Sequence, residues 1–326
     1  MGMTAVRAAE PVRPGRVRSW FGSATVLRRL AITTLVANVL IVVTGGAVRL
    51  TNSGLGCPTW PSCTSASLVP TRAYSFHGII EFSNRQLTFV VGLLAVLTLL
   101  AAWAQRREVR LALVAFLGVP AQAVLGGITV LTDLNPYAVA CHFLLSMAIL
   151  FGYALLVWRL AAARTEPVPG PAVLLARVLA AVTAAVLVIG TVVTGSGPHA
   201  GDVKAGVVHR IHLSSAGVSE LHADAVMVLI GVTVGMLALC YALRTSERAR
   251  RAVLVLLGVE LAQGVIGFTQ YFLHVPPLLV ALHMLGACLV WLAAVRVLFT
   301  FGGIPGGQPW RGGALSTGAG SRTSSH

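Results

Sequence analysis

Charge is scarce in this 326-residue sequence. Asp, Glu, Lys and Arg make up 10% of it, against roughly a quarter in soluble domains. So little charge cannot cover a water-facing surface, and lipid is the expected solvent. Hydrophobic residues reach 56%. Acidic residues are scarcest, 10 against 24 basic ones, for a formal net charge of +14. Such an excess suggests a polyanionic partner until the charges are mapped.

The map excludes that partner. Runs of about 20 apolar residues cross a bilayer. Eight occur, near 28–49, 76–103, 111–131, 137–160, 172–194, 218–243, 252–272 and 277–300. The second opens with the polar run His77 to Gln86, so it spans only if those groups face the protein interior. With alternating spans, 19 basic residues fall on one side, including Arg28, Arg29, Arg106, Arg107, Arg110, Arg164, Arg248 and Arg251. The other side keeps five: Arg49, Arg72, Arg85, Lys204 and Arg210. This bias predicts that both termini are cytoplasmic. The basic clusters then orient the chain and touch anionic lipid, and no nucleic acid is expected. A cleavable signal is not expected either. The charged N-terminal region is about 28 residues long, and the apolar run after it is of span length.

Cysteine is also sparse, five in all. Cys57 and Cys63 share the first outer loop, on the oxidising side, where a disulfide is expected. It would be either a structural staple or a strained, redox-active bond. The second outer loop has no cysteine, which excludes a second disulfide. Cys141, Cys240 and Cys288 lie within spans, as apolar fillers.

The chain repeats itself. Gln122, Gly126, Pro136 and His142 recur 141 residues later as Gln263, Gly267, Pro277 and His283, without a gap. A weaker echo links Val43-Thr-Gly-Gly46 with Val193-Thr-Gly-Ser196. The expected fold is an all-α polytopic membrane protein. Its eight transmembrane helices form two tandem, pseudo-symmetric four-helix bundles related by an axis along the membrane normal. The expected divisions are a basic cytoplasmic tail (1–27), an N-terminal half (28–165), a C-terminal half (166–300) and a disordered cytoplasmic tail (301–326). Gly126, Gly127, Gly264 and Gly267 would allow close helix approach.

Four histidines share one depth. His142 and His283 each lie six residues after a helix-opening proline, about 9 Å along the helix at 1.5 Å per residue. His77 and His222 lie near the outer starts of spans two and six. Each half thus offers two imidazoles on two helices, as a bundle needs to hold a haem iron from both faces. A single interfacial histidine is more often a polar anchor. His199, His209, His212 and His274 read as loop or interface residues.

Glu81 is a carboxylate inside a span, which is expensive and therefore a functional candidate. His77, Glu81 and Arg85 follow i, i+4, i+8 spacing on one helix face, with Asn84 beside them. The arrangement fits a structural Glu81–Arg85 ion pair. It also fits a proton acceptor or cation-stabilising group beside the first-half haem. Residues 141 further on are His222 and Val226, so only the first half keeps such a group. Glu260 in span seven has no evident partner.

The run from Thr44 through Cys57-Pro, the segment Glu81-Phe-Ser-Asn-Arg85, and Leu125-Gly-Gly-Ile-Thr to Pro136 with His142 closely resemble the haem A synthase family. The likeness covers residues 28–300. It implies oxidation of a methyl group of haem O to the formyl group of haem A by successive hydroxylations. The substrate haem would sit in the first half and a resident haem B in the second. Haem O synthase would supply the substrate, and a terminal haem–copper oxidase would take the product. The resemblance makes Glu81 the catalytic glutamate, with Arg85 beside it. It makes His142 and His283 iron ligands, and Cys57 with Cys63 the outer-loop cysteine pair. Asn84 stands where the family often has a histidine, so His77 is the expected substitute. In span six, His222 is preferred over His209. The Arg- and Ala-rich composition looks like that of a high-GC bacterium, which would put the chain in a bacterial plasma membrane. A homo-oligomer remains open. The alternatives are a di-haem b-type electron-transfer protein, a haem transporter or chaperone, and a non-haem transporter built from parallel repeats.

Overall fold

In a computed structural model the described residues are 23–57, 59–63, 65, 75–161, 165–199 and 209–302. Most of the basic N-terminal tail, Arg72, Arg164, Lys204 and the segment 303–326 lie outside them. Among the described residues there are eight helices and no strand: α1 (Ala24–Leu50), α2 (Ser75–Gln105), α3 (Val109–Leu131), α4 (Pro136–Leu160), α5 (Gly170–Ser196), α6 (Ser215–Ala242), α7 (Glu247–Phe272) and α8 (Pro277–Thr300). All eight are long and apolar enough to cross a membrane, so the chain is a multi-pass membrane protein. With no water in the bilayer core, each span satisfies its backbone internally.

The helix starts are written in the sequence. Pro136 and Pro277 open α4 and α8, where the missing N–H would be unpaired anyway. Asn135 caps α4 by accepting from the Tyr137 N–H at 3.0 Å. Ser214 and Ser246 cap α6 and α7 through the N–H groups of Gly217 and Ala249, at 3.3 Å each. The repeat extends into the turns. Asp133 and Leu134 before α4, and His274 and Val275 before α8, all have positive φ. That conformation is unfavourable for a β-branched residue such as Val275. His199 Nε2 donates to the Val275 carbonyl at 2.8 Å and ties this turn down.

The packing is symmetric. Helices α1 to α4 close a ring, α1 against α2, α2 against α3, α3 against α4, and α4 against α1. Helices α5 to α8 close a second ring in the same order. Between the rings, α1 meets α8 and α4 meets α5, while α4 meets α8. A two-fold axis exchanging the halves swaps the first two contacts and maps the third onto itself. At that third contact Trp291 donates to the Met147 carbonyl at 2.8 Å, and Phe151 packs edge-on to Phe299 with centroids 5.5 Å apart. On the face opposite the Cys57–Cys63 loop, Arg248 lies over the Trp158 ring.

The repeat glycines turn out to seat side chains. A Cβ on Gly126 or Gly267 would meet the ring of His142 or His283 at 3.1 and 3.2 Å. One on Gly127 would meet the Trp60 ring at 2.6 Å, whereas Gly264 has nothing within 4 Å. Overpacking costs typically about 1–3 kcal/mol. Gly127→Val should therefore lower the melting midpoint of the detergent-solubilised protein, while Gly264→Ala should not. Equal midpoints would mean that the Trp60 contact carries no stability.

Candidate functional site

The first cluster forms where the Cys57–Cys63 loop meets α2. The two cysteines form a disulfide and are buried. Glu81, one turn from His77, is 5% exposed, and both its oxygens are engaged. Oε2 accepts from the Cys57 N–H at 2.7 Å. Oε1 accepts from Arg85 Nη2 at 2.5 Å and Nε at 3.1 Å. Arg85 turns its remaining donors on the loop, to the carbonyls of Cys57 (2.8 Å), Thr59 (2.9 Å) and Ser62 (3.2 Å). The Glu81–Arg85 ion pair therefore also clamps the disulfide loop. Trp60 from the same loop covers Gly127 of α3, so the loop bridges two helices of the first bundle.

Removing the guanidinium should loosen this clamp. Arg85→Gln leaves Glu81 buried without its counter-charge, which is strongly destabilising in well-buried pairs. The loop should open locally, and Cys57 and Cys63 should alkylate faster at a fixed concentration of reductant than in the parent. An unchanged rate would show that other contacts hold the loop.

The histidines divide into two kinds. His222 and His283 come together, with ring centroids 6.4 Å apart and planes at 65°. The His222 ring rests on Gly190 of α5, as the His283 ring rests on Gly267 of α7. In the first half, His142 rests on Gly126 of α3, but among the described residues no ring contact joins it to His77. His77 Nδ1 is instead bonded to Ser53 Oγ at 2.9 Å. Asn84 accepts from the Thr44 hydroxyl at 2.8 Å. The Nδ1 atoms of His142, His222 and His283 are buried without a protein partner.

A family profile described as "Cytochrome oxidase assembly protein" matches residues 28–295, across all eight helices. The chain belongs to that family. Among curated relatives, the protein named "Heme A synthase" in Geobacillus thermodenitrificans is 34% identical over 112 residues, 33% of this chain and 34% of the relative. The protein of that name in Exiguobacterium sibiricum is 35% identical over 114 residues, 33% and 38% of the two chains. That of Bacillus cereus (strain AH187) is 35% identical over 127 residues, 37% and 40%. The chain thus spans between a third and two-fifths of the length of these relatives.

For a member of this family, several contacts were not readable in advance. Gln122 and Gln263 stand out in the repeat, but nothing in the pattern says what they touch. Gln122 Nε2 donates to the His142 carbonyl at 2.8 Å and to Ser146 Oγ at 2.6 Å. Gln263 Nε2 donates to the His283 carbonyl at 2.7 Å. Gly190 lies outside the clearest repeat block and gave no signal. Glu260, 2% exposed, has a partner after all, the Thr233 hydroxyl at 2.9 Å. Cys240 and Cys288 are buried, but Cys141 is exposed on the helix surface.

Proposed function

We propose that the chain is a haem A synthase, oxidising a methyl group of haem O to a formyl group. The observation that carries this reading is Glu81. A buried carboxylate, tied to Arg85 and to the Cys57 loop, stands in the half where the resemblance to haem A synthases puts the substrate haem. The matching relatives carry that name, and the family assignment covers both halves.

The second half has the donors for a resident haem B, on His222 and His283. Imidazole nitrogens bind metals at roughly 2 Å, so two imidazoles sharing one iron have ring centres about 6 Å apart. The 6.4 Å separation fits that arrangement. Bound there, the haem supplies one-electron redox capacity. In the first half, His142 is the ligand offered to the substrate haem. His77 is the candidate second ligand on α2: its Nδ1 is fixed by Ser53, and its Nε2 has no partner among the described residues. Asn84 is held by Thr44 and lines the same side of α2.

Each hydroxylation of the methyl group passes two electrons to an external oxidant, adds the oxygen of a water molecule and releases two protons. Positive charge develops at the carbon as electrons leave. Glu81 stabilises that charge or takes the proton, and Arg85 holds the carboxylate in place. The arginine-rich face is the cytoplasmic side of a bacterial plasma membrane. The disulfide loop and the histidine ends of the helices then face outward. Haem O synthase upstream and a haem–copper oxidase downstream are the partners this chemistry requires.

The test is to express the full chain with a source of haem O and identify the extracted haems by mass. Haem A should appear, heavier than haem O by one oxygen and lighter by two hydrogens. Bound but unaltered haem would favour a di-haem electron-transfer protein instead. Loosely held, unaltered haem would favour a carrier.

A further inference from the structure

The two halves share a grip on one histidine each. In both, a helix presents glutamine and glycine one turn apart, Gln122 with Gly126 on α3 and Gln263 with Gly267 on α7. The glycine seats the histidine ring of the next helix. The glutamine donates to the backbone carbonyl of that same histidine, at 2.8 Å in one half and 2.7 Å in the other. The amide orientation is chemically decided, since a reversed amide would set two acceptors against each other. Oε1 of each glutamine is therefore left as an acceptor, and both Oε1 atoms are buried without a partner. So is Nδ1 of each gripped histidine.

The closeness of the grip differs between halves. In the first, Ser146 joins the knot, bonded to both Gln122 and the His142 carbonyl. In the second, Gly286 makes room, because a Cβ there would collide with the Gln263 amide. Two different local solutions keep one interaction. That is the pattern expected if the interaction, rather than its surroundings, matters.

We propose that Gln122 and Gln263 are positioning residues for the iron-ligating histidines His142 and His283. Each fixes the helical turn that carries the ring by donating its amide N–H to the histidine's own backbone carbonyl. Loss of an outer partner that orients a ligating histidine typically costs about 10–100-fold in metal affinity. The proposal rests on the haem-ligation reading above.

The test uses the full-length protein purified with its haem, as the parent, Gln263→Met, Gln263→Glu and His283→Ala. Methionine keeps the length of the side chain and removes both polar atoms. Glutamate keeps an acceptor and removes the donor. Two measurements decide: retention of the second-half haem on detergent dilution, and the electron paramagnetic resonance spectrum of its ferric form, which reports the relative orientation of the two ring planes. Gln263→Met should weaken retention by roughly ten- to a hundredfold and shift the spectrum. Gln263→Glu, which loses the same amide donor, should also shift the spectrum and weaken retention. If methionine does not fold, the glutamate variant alone decides, and an unshifted spectrum there overturns the proposal. Parent-like spectra and retention in both variants, with haem lost in His283→Ala, refute the positioning role alone. Full haem retention in His283→Ala would instead sink the ligation reading beneath it.

Discussion

Glu81→Ala should stop formyl production while leaving haem bound. The carboxylate is bonded to the Cys57 N–H and Arg85 rather than to these histidines, so its loss should leave the His142, His222 and His283 rings seated on Gly126, Gly190 and Gly267. What it does remove is the anionic group in the half proposed to hold the substrate haem. A positioned acid or base is worth typically about 10²–10⁴-fold in rate, so haem A should fall to the limit of detection against unconverted haem O. The change also leaves the Cys57 N–H and the Arg85 guanidinium without their acceptor. Some destabilisation of the loop is therefore expected as well, and Glu81→Gln separates the two effects. Its amide oxygen can still accept from Cys57, but a neutral side chain cannot balance Arg85 or a developing cation. Both variants should be inactive, and the glutamine variant should melt closer to the parent. A glutamine variant that still makes haem A at the parental rate would remove Glu81 from the chemistry and leave it as a clamp for the loop.

His222→Ala and His283→Ala should each empty the second half. Their rings are the one histidine pair in ring contact among the described residues, so neither has a substitute at hand. Metal–imidazole binding needs both the ligand and its orientation. The purified variants should carry less haem B per chain than the parent, read from the pyridine haemochrome spectrum. His77→Ala should not show that loss, because His77 lies in the other half and bonds to Ser53. Equal haem B content in His222→Ala and the parent would overturn the proposed second-half haem site.

Much of this was legible in the chain. Eight apolar runs became eight helices, with ends shifted by a few residues where Ser246 and Ser214 cap earlier than hydropathy alone suggests. The 141-residue offset became two equivalent rings, and it reached further than expected, into the turns at Asp133 and His274. The Cys57–Cys63 disulfide and the Glu81–Arg85 pair could be read from spacing because both are local, six and four residues apart. The glycines were only half legible. A pattern of small residues shows that something comes close, but not whether it is a helix backbone, an imidazole or the Trp60 ring.

The sequence by itself determined the solvent, the number of spans and the duplication. These follow from hydropathy and from self-similarity, which add up residue by residue and need no knowledge of what packs where. Only the tertiary structure decided which histidines meet, what the glutamines hold, and that Glu81 and Arg85 clamp the disulfide loop. Each of those depends on how neighbouring helices are rotated and tilted against one another. A helix shows the same periodicity whichever way it is turned, so only packing against its neighbours could bring His222 to His283 and leave His77 with Ser53.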